Sequence, residues 1–181
     1  MKQNIAMSNI IKEVKGVYQI YPLNPLRKTE GVDFDNLPME ALPRIDAIDR
    51  VIHHSGAISP GSIQGVERPW YMHPNQDDNL LVLKGTRYVD VYTPEHGKVE
   101  SFVITPSKVM HNGEVVVDGP AMLVWPRGVF HRIRSAEDGS ASVNFAAHYD
   151  GFNLDTNFNI YDLNTETGEY KVLRIGKEDQ F

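Results

Sequence analysis

The 181-residue sequence contains no cysteine, which excludes a disulfide framework and a thiolate metal site. It has no excess of basic residues, because 18 Lys and Arg stand against 24 Asp and Glu, and a nucleic-acid partner is therefore not expected. It also lacks an apolar run of membrane-spanning length. The opening MKQNIAMSNIIKEVKGV has neither a continuous apolar segment nor a small-residue cleavage site. We therefore expect a cytoplasmic protein with no membrane partner.

Short apolar runs fill the sequence from about residue 45 onward, and turn residues separate them every 8–12 positions. Examples are NLLVLKG, TRYVDVYTP, KVESFVITP and ASVNFAAHY, which are rich in β-branched and aromatic residues. None of them shows a sustained helical period. This pattern predicts an all-β sandwich or barrel. Near the end, IYDL and YKVLR flank the loop NTETG, which predicts a C-terminal hairpin.

The N-terminal part has a different character. Ser8 is a candidate N-cap of one short helix, with Ile10, Ile11 and Val14 on one face. Residues 21–43 contain four prolines and mixed charge, which favour an extended arm over regular structure. We therefore divide the chain into an arm (residues 1–44), a β-barrel (45–155) and a C-terminal hairpin and tail (156–181).

Two segments carry residues suited to chemistry. The first, YMHPNQDDNLLVLKG, places His73 at the end of one strand and Asp78 at the start of the next, with Gly85 closing that strand. The second, WPRGVFHRIRS, has the spacing Pro126-x-Gly128-x-x-His131. A hairpin turn explains the proline and the glycine of this segment, but it does not explain the histidine.

Together these segments resemble the two motifs of the cupin superfamily over roughly residues 45–150. The second motif is matched well, while in the first Asp78 stands where the family has Glu and Tyr71 where it has a first His. The resemblance implies a double-stranded β-helix, the cupin jelly-roll barrel. It also implies a homodimer, in which we expect residues 21–43 to cross between subunits.

Strand alternation explains the spacing of these motifs. Side chains two apart share a face of a strand, so Tyr71 and His73 would point into the barrel together. Asp78 and His131 would reach the same spot from neighbouring strands. His73, Asp78 and His131 then form a two-histidine, one-carboxylate set that suits a divalent metal ion such as Fe, Mn, Ni or Zn. The sequence leaves open that the two histidines form a hydrogen-bonded pair without metal, and that Tyr71 is a fourth ligand or a hydrogen-bond donor.

The strand around Gly85 and the segment VWPRGVFHRIRSAED also resemble the dTDP-4-dehydrorhamnose 3,5-epimerase group of the same superfamily. That resemblance implies a metal-free reaction in which His73 removes a proton next to a sugar ketone. The group's phosphate-binding arginine is missing before His73, unless Arg68 substitutes. Its proton-donating tyrosine falls near Phe145, so Tyr149 would have to take that role.

Three functions therefore remain open. The first is a metal-dependent enzyme of dioxygenase, isomerase or lyase type, with His73 and Tyr71 as candidate catalytic residues. The second is a metal-free sugar-nucleotide epimerase, and the third is a non-catalytic cupin that binds a small ligand. Other candidate residues carry further expectations. Only one of His53 and His54 can face inward, and an exposed or hydrogen-bonded edge pair is favoured over a pocket residue. Arg87 lies on the rim or in the pocket, His96 and His111 are exposed, and Trp70 and Trp125 pack the barrel.

Overall fold

Nearly every regular element of the chain is a β-strand in the computed structural model, which describes residues 10–37, 39–42 and 44–180. Helix in this part of the chain is limited to α1 (Leu154–Asn157) and two 3₁₀ turns, Met39–Ala41 and Gly176–Asp179. The all-β prediction is therefore confirmed. The strands are β1 (Lys12–Val14), β2 (Tyr18–Pro22), β3 (Asn24–Thr29), β4 (Val32–Asn36), β5 (Ala47–His53), β6 (Ile58–Ser59), β7 (Trp70–Met72), β8 (Gln76–Tyr92), β9 (Glu100–Thr105), β10 (Lys108–His111), β11 (Glu114–Val117), β12 (Ala121–Trp125), β13 (Phe130–His148), β14 (Ile160–Leu163) and β15 (Tyr170–Arg174).

Two long antiparallel strands, β8 and β13, organise the structure. They pair along almost their whole length, from Phe130 opposite Tyr92 to His148 opposite Gln76. The first half of β8 also pairs with β12, and its second half pairs with β9. Likewise, β6 and β7 pair with the first half of β13, and β5 pairs with its second half. The two halves of each long strand therefore have different neighbouring strands, although all of these strands belong to one curled sheet.

The bend in the long strands lies at Gly85. This glycine has φ +71°, and a Cβ atom there would collide with the carbonyl oxygen of Gly139 on the partner strand. The pairing register shifts at the same level, between Ser135 and Ser140. The expectation that Gly85 closes its strand is wrong, because β8 continues to Tyr92. The glycine instead lets β8 bend without leaving the sheet.

The N-terminal prediction needs correction in two places. Ser8 lies outside the described residues, and Lys12–Val14 forms strand β1, not a helix. Strand β2 then pairs with β12, and Tyr18 and Ile20 are buried in the main sheet. Alternate burial of β2 against a neighbouring strand outweighs the weak helical signal before it. Residues 21–43 are also more regular than expected, because β3 and β4 form a hairpin.

The side chains of β3 and most of those of β4 are exposed. The predicted homodimer, the crossing of this arm and the three domain boundaries stay predictions.

At the other end of the chain, β14 pairs with β15, which confirms the C-terminal hairpin. Strand β14 also pairs with β7 and so joins the hairpin to the main sheet.

The largest apolar cluster fills one part of the curled sheet. Its members include Ile20, Val89, Phe102, Ile104 and Leu123, all of which are at most 1 % exposed. Leu80 and Trp125 belong to this cluster and also border an internal cavity. The apolar core therefore forms one wall of the cavity in which the motif residues meet.

Candidate active site

His73, Asp78 and His131 come together inside the sheet, and each is at most 5 % exposed. His73 directly follows β7, while Asp78 lies on β8 and His131 on β13. A backbone hydrogen bond ties the two motifs together, because the amide of Gly128 donates to the carbonyl of His73 at 2.8 Å. Gly128 has φ +81°, so the Pro-x-Gly turn can present its amide to the other motif.

The three side chains face one another through one atom each. The Oδ2 atom of Asp78 lies 3.3 Å from Nε2 of His73 and 3.9 Å from Nε2 of His131. The two imidazole ring centroids are 4.7 Å apart. The potential ligand atoms of all three residues lie within 4.8 Å of one another. This geometry brings together the three residues that the sequence singled out.

The other polar atoms of this cluster are occupied by different partners. The Oδ1 atom of Asp78 accepts hydrogen bonds from Gln76 at 2.8 Å and from Asn144 at 2.7 Å. The Nδ1 atom of His73 lies 2.5 Å from the carbonyl oxygen of Asn157, and Nδ1 of His131 lies 3.2 Å from that of Val129. A carbonyl oxygen can only accept, so both Nδ1 atoms carry a proton. Each Nε2 atom is thereby directed towards Asp78.

The surroundings of the two histidines shift their pKa values in opposite directions. Burial lowers the pKa of His73, but the nearby Asp78 carboxylate and the Asn157 carbonyl outweigh burial and raise the pKa overall. Burial lowers the pKa of His131 to about 4, and the charge of His73 adds to that effect. Burial raises the pKa of Asp78, yet the two imidazoles reverse this and hold it far below its ordinary value. At neutral pH, Asp78 is therefore ionised and His131 is neutral, and the raised pKa of His73 favours a charged pair with Asp78.

The cluster borders a cavity of about 340 Å³, which is within the range of small-molecule sites. Tyr71 lies on its wall, with its ring centroid 6.0 Å from that of His131. Phe158 packs edge-on against His73, and Trp125 packs against His131. The complete lining is Asp49, Val51, His53, Ser59, Tyr71, His73, Gln76, Asp78, Leu80, Arg87, Trp125, His131, Ile133, Asn144 and Phe158.

The structure decides several open points about other residues. His53 lines the cavity, whereas His54 is exposed. Arg87 also lines the cavity and is only 1 % exposed. Trp125 forms part of the cavity wall, and Trp70 packs in a separate apolar cluster.

The expectation that His96 and His111 are exposed is wrong. His111 is 7 % exposed, and both histidines donate to the buried carboxylate of Glu100, at 2.8 and 2.7 Å. The turn signals around them are real, but the turns fold back over a buried acceptor. The substitutes considered for epimerase residues, Arg68 and Tyr149, are both absent from the cavity lining.

Gln76, Asn144 and Asn157 position the cluster, although the sequence did not single them out for this role. Asn144 lies on the same strand face as Ser140 and Ser142, and this alternation of polar residues was the available signal. Asn157 contributes a backbone carbonyl from α1, for which no side-chain pattern exists.

No helix among the described residues is both long enough and apolar enough to cross a bilayer.

The curled antiparallel sheet with the motif residues inside it has the same jelly-roll fold as the RmlC-like epimerases on which it superimposes. The dTDP-4-dehydrorhamnose 3,5-epimerase from Elizabethkingia anophelis superimposes with a TM-score of 0.59 at 10 % identity, covering 81 % of this chain and 76 % of that one. The RmlC epimerase of Mycobacterium tuberculosis gives 0.55 at 12 % identity, over 77 % of this chain and 67 % of its own.

A sugar 3,4-ketoisomerase from Thermoanaerobacterium thermosaccharolyticum, QdtA, solved in complex with TDP, has a TM-score of 0.51 at 11 % identity. The match covers 76 % of this chain and 84 % of QdtA. No protein-family model and no curated protein sequence matches the chain. At these identities the likeness establishes the fold, and the activity has to be argued from the site.

Proposed function

We propose that the cavity is the active site of an enzyme that moves a proton at a carbon next to a carbonyl group of a small, sugar-like substrate. The observation that carries this proposal is a neutral imidazole, His131, which lines the cavity and whose Nε2 atom has no hydrogen-bond partner among the described residues. Epimerases and ketoisomerases of sugar nucleotides share the fold, which supports this class of reaction.

The hydrogen bonds favour His131 over His73 as the proton acceptor. Both ring nitrogens of His73 are engaged, one by Asn157 and the other by Asp78. His131 commits only Nδ1, and its Nε2 atom is 3.9 Å from Asp78, beyond hydrogen-bonding distance. The Asp78 carboxylate is close enough to stabilise the imidazolium that forms when His131 accepts a proton.

Tyr71 is the best placed proton donor. It lines the cavity next to His131, and burial raises the pKa of its hydroxyl, so it stays protonated at neutral pH. Tyr149 lies outside the cavity lining and donates to Asp77 at 2.6 Å. Tyr71 and Tyr149 therefore provide a matched pair for mutation.

The test is solvent deuterium incorporation, followed by NMR, in a 4-keto-6-deoxy sugar nucleotide and in free keto sugars. We expect exchange at a carbon next to the carbonyl, with a loss of about 10²–10⁴-fold in His131→Gln, while Tyr71→Phe should lower the rate of product formation by a similar factor and leave exchange by His131 in place. Tyr149→Phe should keep the rate within about twofold, since its hydroxyl binds Asp77 elsewhere. Absence of exchange at high enzyme concentration would remove the proposal.

A metal centre is the second candidate function, and a separate observation favours it. The Nδ1 atoms of both histidines donate to backbone carbonyls and Oδ1 of Asp78 is occupied by two amides, so Nε2, Nε2 and Oδ2 are left facing one another. Metal-ligating histidines usually have such carbonyl partners, which fix the ring orientation. The donor set fits Fe, Mn, Ni or Zn, and a bound ion would polarise a substrate carbonyl.

Metal analysis of protein purified without chelators tests this candidate. If an ion is present, His131→Ala should lose it, while His148→Ala, outside the cavity lining, should retain it. Metal retained in His131→Ala contradicts the ligand assignment. Deuterium exchange that survives removal of the metal would assign the reaction to the side chains alone.

A further inference from the structure

A buried positive charge lies in the cavity, apart from the histidine cluster. The side chain of Arg87 donates from Nε to Oγ of Ser140 at 2.9 Å and from Nη2 to the carbonyl of Val51 at 3.1 Å. Both acceptors are neutral, and Nη1 has no hydrogen-bond partner among the described residues. Within that part of the chain, Arg87 also makes no ion pair with a carboxylate.

A buried charge without an oppositely charged partner lowers the stability of the folded protein. Charged side chains are almost never fully buried without a partner, since transfer of a charge from water is strongly unfavourable. Burial lowers the pKa of Arg87 to about 10, which still leaves it charged at neutral pH. Asp49 is in the same cavity, but its carboxylate accepts from Asn144 at 3.0 Å.

The position of Arg87 is fixed by a short hydrogen-bonded chain. Ser140 contacts Ser135 at 2.6 Å, and Ser135 contacts Nδ1 of His53 at 3.0 Å. Burial, together with the charge of Arg87, lowers the pKa of His53 to about 4, so this imidazole is neutral. If protons run from Arg87 through both serines, His53 keeps its own proton on Nε2. A second donor then belongs to the same end of the cavity.

A second buried donor without a partner in the described part of the chain belongs to a residue of the cavity wall. Nε1 of Trp125 is buried and has no hydrogen-bond partner within the described residues, although Trp125 lines the cavity and is only 3 % exposed. Buried N–H groups nearly always have a partner, so a water molecule or a ligand atom is expected at this donor.

From these observations we propose that Arg87 binds an oxyanion, a carboxylate or a phosphate, that the substrate carries. Arginine is the side chain best suited to such groups, because its planar fork can donate two parallel hydrogen bonds. This inference rests on the proposed function only in that the cavity is a substrate site, and it adds the class of substrate.

The spacing along β13 gives an approximate separation between the two polar ends of the cavity. Ser140, which holds Arg87, and Asn144, which holds Asp78, are four residues apart, roughly 13 Å along an extended strand. The Arg87 and histidine ends are therefore distinct, and one molecule can reach both. We expect a substrate with its carbonyl at the histidine end and its anionic group at the other end.

Thermal unfolding at constant ionic strength tests the inference, with inorganic phosphate and D-glucuronate as probes. D-glucose serves as the uncharged match of glucuronate, and chloride as the control anion. At ten times its dissociation constant, a binding probe should raise the melting temperature by about 3–6 °C. Phosphate binding would assign a phosphorylated substrate, and glucuronate binding a sugar acid.

Variants connect the binding to Arg87. Arg87→Gln should weaken binding by roughly 30-fold or more, and Arg87→Lys should weaken it less. Arg134→Gln removes an exposed arginine that stacks on Tyr88, and it should bind like the wild type. If Arg87→Gln fails to fold, the wild type can still be tested by NMR. The Nε–H signal of Arg87 is assigned by its absence from the spectrum of Arg87→Lys. In the wild type, this signal should shift as the probe is added to saturation.

The inference is overturned if neither probe binds saturably, or if Arg87→Gln binds as tightly as the wild type. Deuterium exchange separates this result from the proposed function. Oxyanion binding without exchange would leave Arg87 assigned and remove the proton-transfer reaction. Exchange without oxyanion binding would support the proton-transfer reaction and remove the role assigned to Arg87.

Discussion

Replacing Asp78 by asparagine tests the charge arrangement of the site most directly. Asparagine has the same shape, and its carbonyl oxygen can still accept from Gln76 and Asn144. Its amide cannot provide the negative charge that faces His73 at 3.3 Å. A hydrogen bond to a charged group contributes roughly 1.5–3 kcal/mol, so we expect the free energy of unfolding to fall by about 2 kcal/mol.

The pH dependence of this loss follows from the two pKa shifts. The pKa of His73 is raised in the folded protein, so its contribution is full below the ordinary value of 6.5 and fades as pH rises through the folded value. The pKa of Asp78 is lowered, so its contribution is full above the ordinary 3.8 and fades at lower pH. The difference between wild type and Asp78→Asn should therefore be largest between about pH 4 and pH 6.5.

Urea denaturation of chelator-treated protein from pH 5 to pH 9 measures this difference. At pH 5.5 the free energy of unfolding of Asp78→Asn should be about 2 kcal/mol lower than that of the wild type, and the gap should narrow towards pH 9. Asp118→Asn is the control, because the Asp118 side chain is 84 % exposed and its ion pair with Lys108 is long at 3.7 Å and therefore weak. A gap that is constant over the whole pH range would refute the assigned charge pair.

Two further predictions concern residues outside the cavity lining. Burial raises the pKa of Glu100, but hydrogen bonds from His96, Asn112, His111 and Lys98 overcome it and lower the pKa to about 2. Glu100→Gln should therefore cost about 2–3 kcal/mol at pH 5 in urea denaturation, and the cost should shrink as pH falls from 4.5 towards 2; a cost that does not shrink would contradict it. Gly85→Ala should destabilise by about 3 kcal/mol, since it combines a positive φ with a backbone collision. Gly119→Ala has open space and no positive φ, and equal stability of these two variants would argue against the bend at Gly85.

The motif residues could be predicted from the sequence because their geometry is local. The turn Pro126-x-Gly128 sets the start of the strand that carries His131, and strand alternation places Tyr71 and His73 on one face. That the two motifs meet was supplied by the resemblance to cupins. The hydrogen bond between Gly128 and His73, 55 positions apart, has no signature in the sequence.

The environment of those residues could not be predicted in the same way. Asn157 binds His73 through its backbone carbonyl, which every residue possesses. Its position depends on α1, a helix of only four residues after the end of β13. Such a short element has no hydrophobic period, so a sequence pattern cannot place its carbonyl.

The polar face of β13 shows why Arg87 was left undecided. Ser140, Ser142 and Asn144 are at most 9 % exposed, whereas the alternating Val143 and Phe145 are only half-buried. The usual rule of apolar residues inside and polar residues outside is therefore reversed along this part of the strand. Because β13 has paired neighbours on both sides, its buried polar face must be satisfied by side chains or by a ligand. Ser140 and Asn144 hold Arg87 and Asp78, and a charge of each sign is thereby fixed on one wall of the cavity. In the enzyme that we propose, these two charges would select a substrate by its polar ends, whereas apolar packing alone would not require a buried charge of either sign.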